Sequence, residues 1–178
     1  EGELDEYMDF VGRDLFTTQL QTTLKQFEEA NNFGSLIRPE ATGAEEIRRT
    51  LAVKDISGQL FLNETHQRVL QALLQADYLS PKYHVVIANP PYMGGKSMSG
   101  RLAAWLKNNY TDVRSDLFSA FIVRNTELAV PKGQLGFMSP FVWMFISSYE
   151  KLRSFLINQK TITSLVQLEY SGFDGATV

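Results

Sequence analysis

The sequence predicts an α/β fold built on a parallel sheet. The β-branched run Val85–Ile87 is typical of a strand that is covered on both faces. From Tyr83 onward the predicted order is strand, helices, strand, helix and strand, a pattern typical of parallel strands joined by right-handed crossovers. With 178 residues, of which 44% are hydrophobic and 21% charged, the chain suits one domain or a large piece of one.

Each element follows from a local pattern. Apolar residues at helical spacing, such as Leu20, Leu24 and Phe27, predict helices, and "PKG" at 131–133 predicts a turn before the second strand. Ser115 with Asp116 can cap one of the helices. The predicted helices span residues 13–31, 44–50, 64–75, 102–109, 115–129 and 149–158, and the predicted strands span residues 83–88, 134–139 and 162–168.

Composition excludes several classes of protein and site. There is no Cys, which excludes disulfides and thiolate–metal sites. The two His offer few ligands for a metal ion, so we expect no bound metal. No apolar run reaches the length of a membrane span, and the acidic N-terminus lacks a signal-peptide pattern. We therefore expect a cytoplasmic protein without membrane contact. The first residue is not Met and the last residues follow a Gly turn, so we expect an internal fragment of a longer protein.

Charge is distributed unevenly along the chain. The net charge is −3, which by itself gives no general signal for nucleic acid, and residues 1–50 are strongly acidic. Residues 93–114 instead hold four basic residues against one acidic residue, and two of the four are Lys96 and Arg101. A solvated helix face would explain this patch, and so would phosphate contacts beside a site.

The stretch "YHVVIANPPYMGG", residues 83–95, places an unusual end on the first strand. Ligands of open α/β sheets bind beyond the carboxyl ends of the strands, where Asn89 follows. Pro90 and Pro91 stiffen the backbone and remove two donors, so that an amide oxygen, a carbonyl and the Tyr92 ring are presented together. Two acceptors and a flat ring suit a planar substrate with N–H donors, such as a nucleobase amine. The simpler alternative is a plain turn.

These segments resemble a known family. "NPPY" at 89–92 resembles motif IV of the amino-methyltransferases that use S-adenosylmethionine, and "SDLFSAFIVRNTELAVPKGQLGFMSP" at 115–140 resembles motifs V and VI of the gamma-class adenine-N6 DNA methyltransferases. Together with "FVWMFISSYEKLRSFL" at 141–156, the match is close to the BREX phage-defence methyltransferases of the PglX type. The resemblance covers residues 77–178 well, and residues 1–76 only as an insert before motif IV.

The resemblance implies a fold, an activity and partners. The fold would be part of a Rossmann-like class I methyltransferase sheet, its substrate-side half, with residues 1–76 as a helical insert or linker. Residues 77–178 would form the C-terminal half of the catalytic domain, from motif IV to the start of motif VIII. The activity would be site-specific adenine-N6 methylation of double-stranded DNA with S-adenosylmethionine, beside other phage-defence proteins. The cofactor's glycine motif would lie outside this chain, which we expect to be inactive alone.

The resemblance also implies roles for individual residues. Asn89 and the Pro90 carbonyl would accept hydrogen bonds from the adenine amino group, Pro91 would keep the turn rigid, and Tyr92 would stack on the flipped base. The set that would contact the cofactor is Asp77 and Asp116, and the set that would contact DNA is Phe118, Lys96 and Arg101. A helix-end acid, a helix cap and a core aromatic are the structural alternatives for Asp77, Asp116 and Phe118.

Further expectations follow from the same segments. Phe173 would flank the base pocket or serve as a turn aromatic, and the glycine-containing loop 94–100 would be mobile without DNA. Two other function classes remain open. One is a methyltransferase that acts on RNA or on protein glutamine, and the other is a non-catalytic interaction domain that retains the fold.

Overall fold

A computed structural model describes residues 2–12, 15–40, 43–56, 58, 62–81 and 83–168. The chain divides into two compact units, Glu1–Ser80 and Pro81–Val178. The first unit is helical in its described part, and the second holds a parallel pair of strands with helices. The observed architecture is therefore a mixed α/β one, and the described strands lie in the second unit.

In its described residues, the first unit contains five α-helices. They are α1 (Gly2–Val11), α2 (Leu15–Phe27), α3 (Ala30–Phe33), α4 (Ala44–Ala52) and α5 (Asn63–Tyr78). Helix α5 contacts α1, α2 and α4, and its Val69 and Leu73 are buried as the apolar spacing predicts. Helix α1 falls in the acidic N-terminal stretch, where no helix was predicted, and its Tyr7 and Met8 are buried in the core.

The second unit contains a parallel β–α–β arrangement. Its elements are β1 (Tyr83–Ala88), α6 (Gly100–Asn109), α7 (Leu117–Leu128), β2 (Ala129–Phe137) and α8 (Glu150–Gln159). Strands β1 and β2 pair in parallel from Val85↔Gln134 to Ala88↔Phe137, and α7 packs against both strands. Because the strands are parallel and in this register, their carboxyl ends lie side by side.

The predicted turn at residues 131–133 lies inside β2. The pairing Tyr83↔Ala129 is followed by Val85↔Gln134, so β2 contains three more residues than β1 over this interval. Lys132 has a φ of 66°, in the left-handed region, which allows the bulge. At Gly133 a Cβ would lie 2.9 Å from the Val130 carbonyl oxygen, so this position accepts no side chain without rearrangement.

Two predictions about strands are wrong for the described residues. Residues 162–168 form no strand, although the run of β-branched and leucine residues predicted one, and no described strand lies beside them to supply hydrogen bonds. The prediction that β1 is covered on both faces also fails, because Val85 is 58% and Ile87 80% exposed. The apolar run thus identified a strand but did not identify what covers it.

Candidate active site

The segment Asn89–Tyr92, called the lip below, follows the carboxyl end of β1. The last ladder bond runs from the Met138 amide to the Ala88 carbonyl oxygen at 3.1 Å, and β1 ends at that residue. Beyond it Pro90 and Pro91 carry no N–H with which to extend the ladder. Asn89 and Pro91 are exposed, Pro90 is buried, and Tyr92 is 41% exposed. The lip therefore presents its amide and its ring to solvent while one proline anchors it.

Asn89 and Tyr92 contact each other across the lip. The Tyr92 hydroxyl donates a hydrogen bond to Asn89 Oδ1 at 3.3 Å. An amide oxygen has two lone pairs, so this contact leaves the oxygen able to accept a second donor. The structure brings together the amide acceptor and the aromatic ring that the sequence predicts to act on one planar substrate.

Asp116 joins the residue after the lip to helix α7. Its Oδ1 accepts the Met93 amide at 2.9 Å and, as the N-cap of α7, the Phe118 amide at 3.3 Å. Backbone bonds run in both directions alongside, from Leu117 N to Met93 O at 3.0 Å and from Gly95 N to Ser115 O at 3.3 Å. The chain that leaves the lip is thus fixed to the start of α7.

Three aromatic rings extend from the lip into the core. Tyr92 and Phe118 meet edge to face, with ring centroids 6.2 Å apart at 86°, and Phe118 lies 5.4 Å from Tyr149 at 43°. Phe118 is fully buried and Tyr149 is nearly so. Edge-to-face contacts favour one orientation of a ring. Phe118 therefore supports the buried edge of Tyr92, and as a core aromatic it has no surface of its own for a ligand in this structure.

Burial perturbs two acidic groups of this cluster. Desolvation raises the pKa of Asp116 above its ordinary value, and the amides of Met93, Phe118 and Leu117 oppose that rise by stabilising the carboxylate. The pKa of Tyr149 is also raised, first by burial and then by the nearby negative charge of Asp116. The carboxylate of Asp116 is therefore a partly desolvated group whose lone pairs accept hydrogen bonds from backbone amides.

The loop after the lip is anchored near both ends. Ser97 N donates to Gly94 O at 2.9 Å, Met98 is buried, and the Ser99 hydroxyl caps α6 by accepting the Leu102 amide. Lys96 is exposed at the tip between these anchors, and Arg101 is exposed in the first turn of α6. These contacts lie on each side of the tip, and the mobility of residues 94–100 stays a prediction.

Asp77 and Phe173 are the other two residues that the sequence analysis considers for the site. Asp77 belongs to the first unit, near the C-terminal end of α5. Phe173 lies outside the described residues. Within the described part of the chain, no cluster of three or more His, Asp or Glu side chains is placed to hold a metal ion. The described helices include none that is long and apolar enough to cross a membrane.

Sequence reasoning assigned no role to an exposed apolar turn after β2. Phe141, Phe145 and Ile146 are 40%, 70% and 46% exposed. The Arg153 guanidinium holds this turn by donating from Nη1 to the carbonyl oxygens of Trp143 and Ile146, each at 2.7 Å. The signal was present in the sequence, because the run "FVWMFI" follows a parallel strand end as the lip does.

Comparison with known proteins identifies the family. The family model described as Eco57I restriction-modification methylase matches residues 9–173. The chain is 33% identical over 157 residues to the adenine-specific methyltransferase BrxX of Escherichia coli O9:H4 (strain HS). The aligned residues cover 86% of this chain and 13% of the relative. It is 30% identical over 149 residues to the adenine-specific methyltransferase PglX of Lacticaseibacillus casei (strain Zhang). The aligned residues cover 80% of this chain and 12% of the relative.

A more distant match comes from a shorter protein. The type II methyltransferase M.HincII of Haemophilus influenzae is 29% identical over 107 residues, which cover 57% of this chain and 21% of the relative. The chain thus spans about an eighth of the length of BrxX and PglX. Because the family model covers most of the chain and the lip lies within the matched residues, the chain belongs to the Eco57I restriction-modification methylase family.

Proposed function

We propose that the full-length protein is a site-specific DNA methyltransferase that transfers a methyl group from S-adenosylmethionine to N6 of adenine. It would serve phage defence in a BREX or restriction-modification-like system, in the cytoplasm and beside other proteins of that system. The observation that carries the proposal is the lip, in which an exposed Asn89 amide and a half-exposed Tyr92 ring meet at the end of a parallel strand. The names of the relatives, adenine-specific methyltransferases, support the same substrate base.

The lip suits the chemistry of an exocyclic amine. Asn89 Oδ1 and the Pro90 carbonyl oxygen would accept the two N–H groups of the adenine amine, which directs the nitrogen lone pair outward. Hydrogen bonds to these acceptors strengthen as positive charge develops on the attacking nitrogen. Tyr92 would stack on the base, which has to leave the duplex to reach the lip. No covalent nucleophile is needed, in agreement with a chain that contains no Cys.

The residues present fit the reacting end of the methyl donor. S-adenosylmethionine, when bound, would supply the methyl group from a positively charged sulfonium that leaves as a neutral thioether, and the methylated amine would lose one proton to water. The oxygens of the lip and the exposed part of the Tyr92 ring are groups beside which a cation is tolerated. Asp77 remains a proposed cofactor residue from the family resemblance. The resemblance implies the same role for Asp116, but the lone pairs of its Oδ1 are occupied by two backbone amides.

We further propose a division of the catalytic domain. The parallel pair β1–β2 would be part of a Rossmann-like class I sheet, of which residues 77–178 form the C-terminal half, and residues 1–76 would be a helical insert. Val85 and Ile87 are exposed in this chain, and the rest of the catalytic domain would cover them in the full-length protein, because parallel sheets in such folds are covered on both faces. Lys96 and Arg101 would contact DNA phosphates beside the flipped base.

The test is a methyl-transfer assay with the full-length protein. Labelled S-adenosylmethionine is supplied with DNA from a strain that lacks the protein, with RNA, or with a glutamine-containing peptide. We expect label in DNA alone, recovered as N6-methyladenine after digestion to nucleosides and mass spectrometry. Label in RNA or peptide would replace the DNA assignment with the corresponding alternative. A full-length protein that labels no acceptor would favour the non-catalytic interaction domain.

A further inference from the structure

We propose that Asp116 is a positioning residue that holds the lip in its active geometry through the Met93 amide, an inference that rests on the proposed function. The family resemblance places this residue beside the cofactor, and sequence alone offers helix capping as the alternative. The structure adds the hydrogen bond from the Met93 amide to Asp116. Neither interpretation includes this bond, because the two residues are 23 positions apart in the chain.

The contact acts directly behind the lip. Met93 follows Tyr92, so its amide plane fixes the backbone from which the Tyr92 ring projects. Asp116 Oδ1 accepts that amide at 2.9 Å, the shorter of its two hydrogen bonds. Two flanking backbone bonds start at Leu117 N and Gly95 N. They would keep the segment after the lip near the start of α7, but they cannot satisfy the Met93 amide.

The same carboxylate also orients the ring that supports Tyr92. Its second acceptor bond goes to the amide of Phe118, whose buried ring lies edge to face against Tyr92. A single oxygen therefore links the backbone behind the lip and the aromatic residue below it. Displacement of Asp116 would loosen both supports of the Tyr92 ring.

This arrangement engages one of the two carboxylate oxygens of Asp116. Oδ1 is occupied by the two amides, and Oδ2 is near Gly94, where an added Cβ would lie 3.4 Å from it. The raised pKa of Asp116 agrees with a carboxyl group that is partly desolvated. The structure thus favours a contribution that depends on an acceptor oxygen at this point, and not on a negative charge offered to the cofactor.

Three substitutions separate the roles. Asp116→Asn keeps an oxygen at the same reach without the charge. Asp116→Ser keeps a side chain that caps a helix but is one bond too short for Met93. Asp116→Ala removes both contacts. The exposed Asp112→Ala, in the short 3-10 turn Thr111–Val113, is the matched control for loss of an acid.

The variants are compared in the full-length protein by kcat, by KM for S-adenosylmethionine and by melting temperature. We expect Asp116→Ala and Asp116→Ser to lower kcat by about 10- to 100-fold, since small misplacements of reacting groups cost up to about 100-fold. The KM for S-adenosylmethionine should stay within about threefold in both. Asp116→Ser should recover the melting temperature that Asp116→Ala loses, and Asp116→Asn and Asp112→Ala should retain most of kcat.

Other outcomes would overturn the proposal. A raised KM for S-adenosylmethionine with unchanged kcat would make Asp116 a cofactor contact. Full recovery of kcat in Asp116→Ser would show that Asp116 acts only as a helix cap. An Asp116→Asn variant as impaired as Asp116→Ala would show that the negative charge is required.

Amide hydrogen exchange keeps this test separate from the proposed function. If the wild-type protein methylated no adenine, the proposed function would fail, but exchange can still be measured. We expect faster exchange of the Met93 amide in Asp116→Ser and exchange close to wild type in Asp116→Asn. Equal protection of this amide in Asp116→Ser and wild type would refute the positioning role whatever the acceptor of the methyl group.

Discussion

In the helical first unit, the Tyr7 hydroxyl meets His66 Nδ1 at 2.8 Å inside the core, whereas in the second unit the Tyr92 hydroxyl meets Asn89 Oδ1 at the surface. Tyr7 is fully buried and His66 is 4% exposed, while Tyr92 is 41% exposed. Each contact joins a tyrosine hydroxyl to a polar atom of another side chain. They differ in whether solvent, and hence a ligand, can reach the pair.

The environment of each pair decides what it contributes. Burial raises the pKa of Tyr7 to about 12 and lowers the pKa of His66, so both groups stay neutral in the core and their hydrogen bond contributes to stability. The exposed contact between Tyr92 and Asn89 competes with water, so it adds little to stability and is readily exchanged for a ligand. We therefore expect substitutions in the first unit to affect stability, and substitutions at the lip to affect methyl transfer.

The largest expected effect is that of Asn89→Ala in the full-length protein. Loss of one preorganised group that stabilises developing charge costs about 100- to 1,000-fold in kcat. The melting temperature should hardly change, because Asn89 is exposed. Asn108→Ala, an exposed position in α6, is the matched control and should leave both quantities unchanged. Normal adenine methylation by Asn89→Ala would remove the lip from the mechanism.

Substitution of Tyr92 should have the next largest effect. Base stacking on an aromatic ring contributes about 1–3 kcal/mol, so Tyr92→Ala should weaken productive binding of DNA by about 5- to 150-fold. Tyr92→Phe keeps the ring and the contact with Phe118 and loses only the weak bond to Asn89, and we expect near-normal activity. Steady-state kinetics with DNA as the varied substrate distinguish the two variants. An equal loss in both would assign the role of Tyr92 to its hydroxyl.

A smaller effect on binding is expected from the double substitution of Lys96 and Arg101 by alanine. If both contact phosphates, DNA affinity should fall about equally for all sequences, and the slope of log affinity against log salt should flatten by about 1.8. Lys25→Ala, in the helical unit, is the control for loss of an exposed charge. Binding titrations at several salt concentrations measure both quantities. An unchanged slope would show that these side chains do not contact phosphates.

The smallest effect is a pH dependence of stability that arises in the first unit. The pKa of His66 is lowered by burial, so the unfolded state takes up a proton more readily than the folded state. Stability from this source is complete above about pH 6.5, the value of an unperturbed His, and is lost as the pH falls through the folded-state pKa. Thermal unfolding between pH 5 and pH 7.5 should show this loss in wild type and in His84→Gln, but not in His66→Leu. A loss that persists in His66→Leu would assign it to other groups.

Local patterns predicted most helices and the lip, because capping, apolar spacing and proline act over a few residues. The Asp116 cap of α7 followed from such a pattern, but its bond to Met93 did not, since it joins residues that only the tertiary fold brings together. His66 was missed for a similar reason, because a polar side chain on a buried helix face is recognised only through its partner, Tyr7. The failed strand at 162–168 shows that a β-branched run needs a neighbouring strand as well as propensity.

The position of the target base in a complex tests the central claim most directly. The full-length protein would be solved with duplex DNA that contains its methylation site and with a cofactor analogue that cannot transfer a methyl group. We predict an extrahelical adenine whose N6 lies about 2.7–3.2 Å from Asn89 Oδ1 and from the Pro90 carbonyl oxygen, with its ring stacked on Tyr92. An adenine that remains stacked in the duplex, or that is flipped into a pocket away from the lip, would contradict the account.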